Sequence, residues 1–427
     1  MPRTDLQKGQ NCFYNTSIQQ YNTMIKTGIT IFVTCLAVVA GIAWYQAYLP
    51  LSSKLGNPGS KVFPFAFRFG GLLANAGSTL GLSRIKVLRA IFGFADREWV
   101  DFGQSEWKIG INITDTMVAG VRVTIFQPET QDTVSPGLVH MHGGGLTFGS
   151  RKYKSYMVTC SMLAKGSKSV VISIDYRLAP EHIFPAQFDD VFAVVSAILK
   201  EPRKFGIDGN RLALAGDSAG GLLSAAISLE FAKLGKPSKI SAQVLLYPWL
   251  QSIDAVCLPS YQAYKDGFAL SEKAMAYYDS CATMGNTSMV LEYLSGNVSR
   301  YFMQTPYWKY LAEISNCEIP TEKSMVHLPS NFVEKVTDPW LSPLLAEDVS
   351  GSPPTFVAIA EYDVLASEAT LFAKRLREAG VQVVEKHYKT YHGFVQNVGL
   401  LIGNDTLAKI AVNDAVNFLN SVFYTDV

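Results

Sequence analysis

The stretch "LALAGDSAGG", residues 212 to 221, sets a serine between two glycines directly after an apolar run. A hydroxyl held on so tight a turn can attack an acyl carbon, provided that a base takes its proton. "GDSAG" fits G-x-S-x-G: Gly216 and Gly220 keep the flanks small, and Asp217 and Ala219 complete the turn around Ser218. A helix-capping role would account for Ser218 but not for both glycines. Three histidines follow it: His327, His387 and His392. His387 sits inside a strand pattern and His327 in an irregular stretch. His392, in "TYHGF", lies in a loop just beyond the strand "QVVEKHY" and is the expected base. An imidazole in that role needs a carboxylate to fix its tautomer. Asp363, straight after "TFVAIAEY", is the expected one. Glu361 competes from inside the strand end, and Asp338 in "DPW" reads as a turn. "HMHGGGLTFGS" offers backbone N–H groups to a negative oxygen. His142 opens this motif. Gly143, Gly144, Gly145 and Ala219 form the expected oxyanion hole, with Gly143 mainly shaping the turn.

These residues need a frame. "WKIGINIT" and "GVRVTIFQP" alternate and read as paired strands. "GLVHMHG", "SVVISIDY", "RLALAG", "SAQVLLYP", "PTFVAIAEYD" and "QVVEKHY" are short apolar strands. Helical patterns fall at "FDDVFAVVSAILK", from Ala219 to about Leu234, at "SEATLFAKRLREAG" and at "NDTLAKIAVNDAVNFLNSVF". Apolar strands alternating with amphipathic helices predict an α/β fold whose mostly parallel sheet is covered on both faces. Between Gln251 and Asp338 the alternation stops, and an insertion over the sheet is expected.

The 427 residues carry a net charge of +1, which gives no electrostatic footprint for nucleic acid. Charged residues make up only 17% of the chain. That is below the roughly 25% usual for soluble chains, and it points to extra buried or membrane-facing surface. The six cysteines form no metal-ligand spacing, so no metal is expected. Cys257, Cys281 and Cys317 share one segment, where a disulfide or buried free thiols would both fit. From Gly28 to Pro50 there is no charge, with Trp44, Tyr45 and Tyr48 near one end. About 20 apolar residues span a bilayer, and interfacial aromatics sit at its edges. The apolar run exceeds a cleavable signal core, so residues 28–49 read as an uncleaved signal-anchor. Lys and Arg are balanced across it. Sequons at Asn112, Asn286, Asn297 and Asn404 are candidate glycosylation sites. Residues 61 to 94 read as amphipathic helical cover, against the main domain or the membrane surface.

Together, Ser218 in "GDSAGG" and residues 142–145 in "HGGG" resemble the hormone-sensitive-lipase family of α/β hydrolases. "DYRLAPEHIFPAQFDD", "WLSPLLAEDVSGSPPTFVAIAEYDVL" and "TYHGF" match the same family. The apolar N-terminal segment with "LLYPWLQSIDAVCLPSYQ" resembles its arylacetamide deacetylase and neutral cholesterol ester hydrolase branch. The chain departs from arylacetamide deacetylase after HGGG, reading "LTF" where that protein has a cysteine. The resemblance implies an α/β-hydrolase fold with a helical cap and one N-terminal transmembrane helix. It also implies a glycoprotein with its catalytic domain in the endoplasmic reticulum lumen. The organisation expected is a tail over 1–27, the anchor over 28–49, helical cover over 51–104 and a catalytic domain over 105–427. The cap insertion falls at about 251–337. The activity implied is cofactor-free serine hydrolysis of hydrophobic esters: acylglycerol, sterol ester or aryl ester. Amide deacetylation is the alternative activity, and a catalytically silent lipid-binding protein the alternative class. The presence of Ser218, Asp363 and His392 together argues against the silent form.

Overall fold

A computed structural model describes residues 35–42, 44–45, 62–99, 108–129, 134–235, 239–267, 269–318, 326–398 and 406–424. Eight strands form one sheet in the order β1-β2-β4-β3-β5-β6-β7-β8. Strands β1 (Ile111–Val118) and β2 (Val121–Pro128) form an antiparallel hairpin, and β2 is also antiparallel to β4 (Val170–Asp175). From β4 onward the pairing is parallel, through β3 (Ser135–Met141), β5 (Ile207–Asp217), β6 (Ala242–Leu246), β7 (Thr355–Tyr362) and β8 (Val383–Tyr391).

The two-residue alternation of a strand sends neighbouring side chains to opposite faces. Val139, Ile172, Leu214, Leu245 and Val357 pack into one core, and Leu138, Val171, Ala213, Val244 and Phe356 into the other. Both faces are therefore apolar, which is why these strands read as continuous apolar runs. In chain order the helices of the main body are α1 (Val62–Thr79), α2 (Arg84–Trp99), α3 (Lys154–Ser167), α4 (Ala186–Lys200) and α5 (Ala219–Leu234). Helix α3 was not expected from the sequence pattern. Its apolar positions are interleaved with buried Ser155, Thr159, Ser161 and Ser167, which weaken the periodic signal. Asp96 of α2 receives the N–H groups of Lys154 and Ser155 and the Ser155 hydroxyl, so it satisfies the open start of α3. Arg89 of the same helix donates to the main-chain oxygens of Thr147 and Ala179 and pairs with Glu181. The segment expected as helical cover is thus pinned onto the main body.

The insertion after β6 holds short helices: α6 (Pro259–Tyr264), α7 (Glu272–Met284), α8 (Val290–Leu294), α9 (Asn297–Phe302) and α10 (Ser330–Thr337). A disulfide joins Cys257 to Cys317, while Cys281 is a buried free thiol. Helices α11 (Ala366–Glu378) and α12 (Thr406–Phe423) complete the fold. Buried carboxylates tie the insertion to the body. Glu368 of α11 accepts from Leu250 N and the Gln251 amide at 2.6 and 2.8 Å. Asp254 accepts the N–H groups of Val256, Cys257 and Leu258 and the Ser299 hydroxyl.

Asp279 in α7 is buried, and its Oδ1 has no hydrogen-bond partner. Burial pushes its carboxyl up to about 8, opposed only in part by Ser252 and Tyr293. An unfolded aspartate titrates near 3.9, so from about pH 4 to about pH 8 the folded chain binds the extra proton. Stability therefore falls as pH rises through that window and flattens above it. Asp279→Asn is expected to raise the unfolding midpoint at pH 8.5 and to change it little at pH 4.5. Thermal unfolding of both proteins at the two values checks this.

Of the expected anchor, residues 35–42 and 44–45 are described and are helical, and the rest of 28–49 lies outside the described residues. Among the described residues, no helix is long and apolar enough to cross a membrane. The tail over 1–27 and the sequon at Asn404 also lie outside them. Asn112 and Asn286 are exposed. Asn297 is half-buried and bonded to Glu292 and Arg300, and Ser299 of its sequon is buried against Asp254, a poor presentation for glycosylation.

Candidate active site

Strand β5 ends at Asp217 and helix α5 begins at Ala219, so Ser218 alone makes the turn between them. Its backbone sits at φ 54° and ψ −119°, a conformation that a side chain adopts only under strain. Close packing holds it there. Ser218 N donates to Leu246 O at 2.9 Å. A Cβ at Gly216 would lie 2.2 Å from Gly220 O, and one at Gly220 would lie 2.1 Å from Met141 O. Only glycine fits at either flank.

Strand β8 runs through Tyr391, three residues further than the strand pattern, and His392 opens the turn that follows it. Its Nε2 lies 2.8 Å from Ser218 Oγ, and its Nδ1 lies 2.6 Å from Asp363 Oδ2. Asp363, just past β7, is almost fully buried, and its other oxygen accepts Leu365 N at 3.0 Å. The carboxylate is thereby held with one oxygen facing the ring. Tyr247 packs edge-on against the imidazole, with centroids 5.0 Å apart. The competitors lie elsewhere. His387 is exposed and bonds Glu385, His327 is exposed, and Asp338 accepts Trp340 N in a turn. Glu361 is half-buried, one residue before the end of strand β7.

The glycine loop follows β3. Gly144 has φ +116° and Gly145 φ +57°. A Cβ on Gly144 would meet Phe148 O at 2.1 Å, and one on Gly145 would meet the Tyr278 ring at 2.5 Å. Both residues line a small cavity of about 60 Å³ over Ser218 and His392. Ala219 is the first residue of α5, where an N–H has no intrahelical acceptor.

Gly143 departs from the expected oxyanion set. Its N–H donates to Asp217 Oδ1 and Tyr156 Oη, each at 2.9 Å, and so is directed into the protein. Its structural part is the one assigned to it as a shaper of the turn. A Cβ there would meet Asp217 Oδ2 at 2.6 Å. The His142 ring stacks on Tyr176 at 4.3 Å, and its carbonyl accepts the Tyr176 hydroxyl at 2.6 Å. Burial depresses the affinity of His140 and His142 for a proton, to about 3 for His140, so both are neutral. Ala179 N donates to Leu146 O, which fastens the far side of the loop. "DYRLAP" thus acts as the support of the glycine loop.

Three functional neighbours were not found from the sequence: Tyr156 on α3, Gln396 in the turn after His392, and Arg89. No local motif marks them, because each acts through a contact distant in the chain. Arg89 braces the far side of the glycine loop through Thr147 O and Ala179 O, whereas Tyr156 and Gln396 meet at Asp217. Its Oδ2 accepts from Gln396 at 3.1 Å and from Tyr156 at 3.3 Å, while its Oδ1 holds Gly143. One buried carboxylate therefore joins the serine turn, the glycine loop and the histidine loop. Burial pushes it up to about 6, against the opposing pull of His392 and its hydrogen bonds. Asp217→Asn places an amide where two donors point and removes a charge near the imidazole. A fall in kcat of about tenfold is expected, the worth of roughly one charge-assisted hydrogen bond. Steady-state kinetics with an ester substrate reads it.

No cluster of His, Cys, Asp and Glu suited to a metal occurs among the described residues. The arrangement combines an oriented hydroxyl, a base, its carboxylate and a glycine loop that lines the cavity over the hydroxyl. That set serves acyl transfer.

The model of the alpha/beta hydrolase fold family matches residues 138–295 and 300–396. The chain belongs to that family, as an esterase-type serine hydrolase on the arylacetamide deacetylase and neutral cholesterol ester hydrolase branch. Neutral cholesterol ester hydrolase 1 of Bos taurus is 30% identical over 380 residues, covering 84% of this chain and 91% of that protein. Arylacetamide deacetylase of Bos taurus is 30% identical over 400 residues, covering 87% and 94%. Among solved structures, the hyperthermophilic esterase of Pyrobaculum calidifontis superposes with a TM-score of 0.59 at 25% identity. That match covers 82% of this chain and 97% of the esterase.

Proposed function

We propose that the protein is a membrane-anchored carboxylic ester hydrolase acting on hydrophobic esters through an acyl-enzyme on Ser218. The observation that carries this reading is the hydrogen-bonded line Ser218–His392–Asp363 at the ends of β5, β8 and β7. His392 takes the Ser218 proton as Oγ attacks the ester carbonyl, and Asp363 stabilises the imidazolium. The N–H groups of Gly144, Gly145 and Ala219 receive the oxyanion. His392 then returns the proton to the leaving alcohol. Water, activated by the same ring, releases the acid.

An apolar segment over 28–49 supports the anchor. Trp44 packs edge-on against Phe65 of α1, and Tyr45 reaches a cavity beside the catalytic one. Two aromatic residues near the end of that segment, Trp44 and Tyr45, thus lie beside the main body and this cavity, which suits delivery of substrate from a bilayer. The Cys257–Cys317 disulfide and the exposed sequons at Asn112 and Asn286 suit a body in the endoplasmic reticulum lumen. Amide deacetylation is the second reading, favoured by the similarity to arylacetamide deacetylase. Both use the same residues, and matched ester and anilide substrates separate them.

The test uses membranes bearing the full chain, p-nitrophenyl esters of increasing acyl length and a fluorophosphonate label. Ester turnover with labelling at Ser218, and ester preferred over anilide, is expected. A folded, glycosylated chain that neither labels nor turns over ester is a lipid-binding protein instead.

A further inference from the structure

A second cavity, of about 570 Å³, lies between helices α1 and α2 and the start of α7. It adjoins the catalytic cavity, because Phe67, Ala269 and Tyr278 line both. A substrate whose ester carbonyl sits at Ser218 would extend into this larger space. Its wall is mostly apolar, yet among the described residues that line it the charges are unbalanced, with Arg68, Arg84, Lys265 and Lys273 against Asp266. The chain as a whole has a net charge of +1, so this excess is local.

Asp266 offsets part of the Arg68 charge, and Lys265 lies within electrostatic reach of Glu272, which leaves Arg84 and Lys273 as the cations available to a ligand. Arg68 donates to the main-chain oxygens of Asp266 and Gly267, neutral acceptors that hold α1 against the insertion. The Arg84 guanidinium lies 4.0 Å over the Tyr277 ring. It also bonds the Tyr277 side chain, while its Nε is buried with no acceptor among the described residues. A planar guanidinium above an aromatic ring presents a fork that suits a carboxylate or a phosphate. Lys273 is exposed at the rim, beside the apolar wall.

We propose that this cavity receives the part of the substrate beyond the scissile ester, and that this part ends in an anionic group held by Arg84 with help from Lys273. The proposal rests on the hydrolase reading and adds the class of substrate: an amphiphilic ester with a phosphate or carboxylate on its alcohol side. A lipid and a short soluble ester would share this chemistry.

The test uses the detergent-solubilised full chain and pairs of esters identical except at the far end of the alcohol, hydroxyl in one and phosphate in the other. Each pair is made with a short and a long acyl chain and used as monomers. The quantity read is the ratio of kcat/KM for the anionic over the neutral ester within each protein. A ratio of about ten is expected for the wild type, the worth of one charge-assisted contact. It should fall to about one in Arg84→Gln and by about half in Lys273→Gln. A kcat/KM that climbs with acyl length makes the substrate a lipid, and a flat profile makes it a soluble ester. Both outcomes keep the anion site. A wild-type ratio of one, or a ratio unchanged in Arg84→Gln, overturns it. So does a loss of binding to anionic vesicles in Arg84→Gln with no preference among soluble esters, because the cations would then serve membrane contact. If the neutral ester is not turned over either, the hydrolase reading itself has failed.

Discussion

Ser218→Ala lowers ester turnover by at least about 10⁴-fold while the chain keeps its fold. The magnitude follows from treating Ser218, His392 and Asp363 as a unit, in which loss of the attacking atom removes the covalent route altogether. What remains is the oxyanion pocket, worth about 10³-fold over water in comparable sites. The structural cost is small. Among the described residues, Ser218 Oγ bonds His392 alone, at 2.8 Å. Alanine would inherit the φ of 54° that Gly216, Gly220 and the bond to Leu246 O already impose. His392→Ala is expected to cost about as much, and the double variant no more than either alone. Fluorophosphonate labelling should vanish in Ser218→Ala. Additive losses in the double variant, or turnover surviving in Ser218→Ala with an unchanged circular dichroism spectrum, would place the chemistry elsewhere.

The parts that the sequence made legible share a physical cause. The turn at Ser218 requires small flanks, a strand before and a helix after, so its whole geometry is written in ten consecutive residues. Strands β3 to β8 are legible for a similar reason, since burial on both faces leaves uninterrupted apolar runs. The rest depends on contacts between distant residues. Nothing local at Tyr156 or Gln396 shows that both reach Asp217. Gly143 looks like its neighbours in "HGGG", and only the position of Asp217 separates its N–H from theirs. In the insertion, the 13-residue α7 is buried continuously from Met275 to Thr283 and so shows no polar face, and α8 and α9 have only 5 and 6 residues. One turn or two gives no amphipathic period to detect. The pairing of Cys257 with Cys317 rather than Cys281 is likewise set by packing. The cation-lined cavity is assembled from α1, α2 and the insertion, segments that no single stretch of sequence brings together.

Asp363→Asn tests the least visible member of the site, the one chosen for its place straight after the strand "TFVAIAEY" over Glu361 and Asp338. The substitution keeps size and shape, so any loss reports on protons. In the wild type, Oδ1 accepts Leu365 N and Oδ2 faces His392 Nδ1 at 2.6 Å. Asparagine must keep its carbonyl towards the Leu365 N–H, which turns its NH₂ towards the ring. Nδ1 must then accept, and the proton moves to Nε2, facing Ser218 Oγ. A ring protonated there cannot take the serine proton, and the imidazolium also loses its counter-charge. A fall in kcat of about 10⁴-fold is expected, the scale seen when the equivalent carboxylate of a serine protease is neutralised in this way. KM should change little, because Asp363 is buried behind His392 and away from the cavity over Ser218. Glu361→Gln is the matched control. Glu361 is half-buried on β7, two residues before Asp363, and its substitution should alter kcat by no more than about twofold. If Glu361→Gln carried the large loss and Asp363→Asn the small one, the line drawn from Ser218 through His392 would end on the wrong carboxylate. A large loss in both would mean that the β7 terminus acts by holding the backbone rather than by orienting the imidazole.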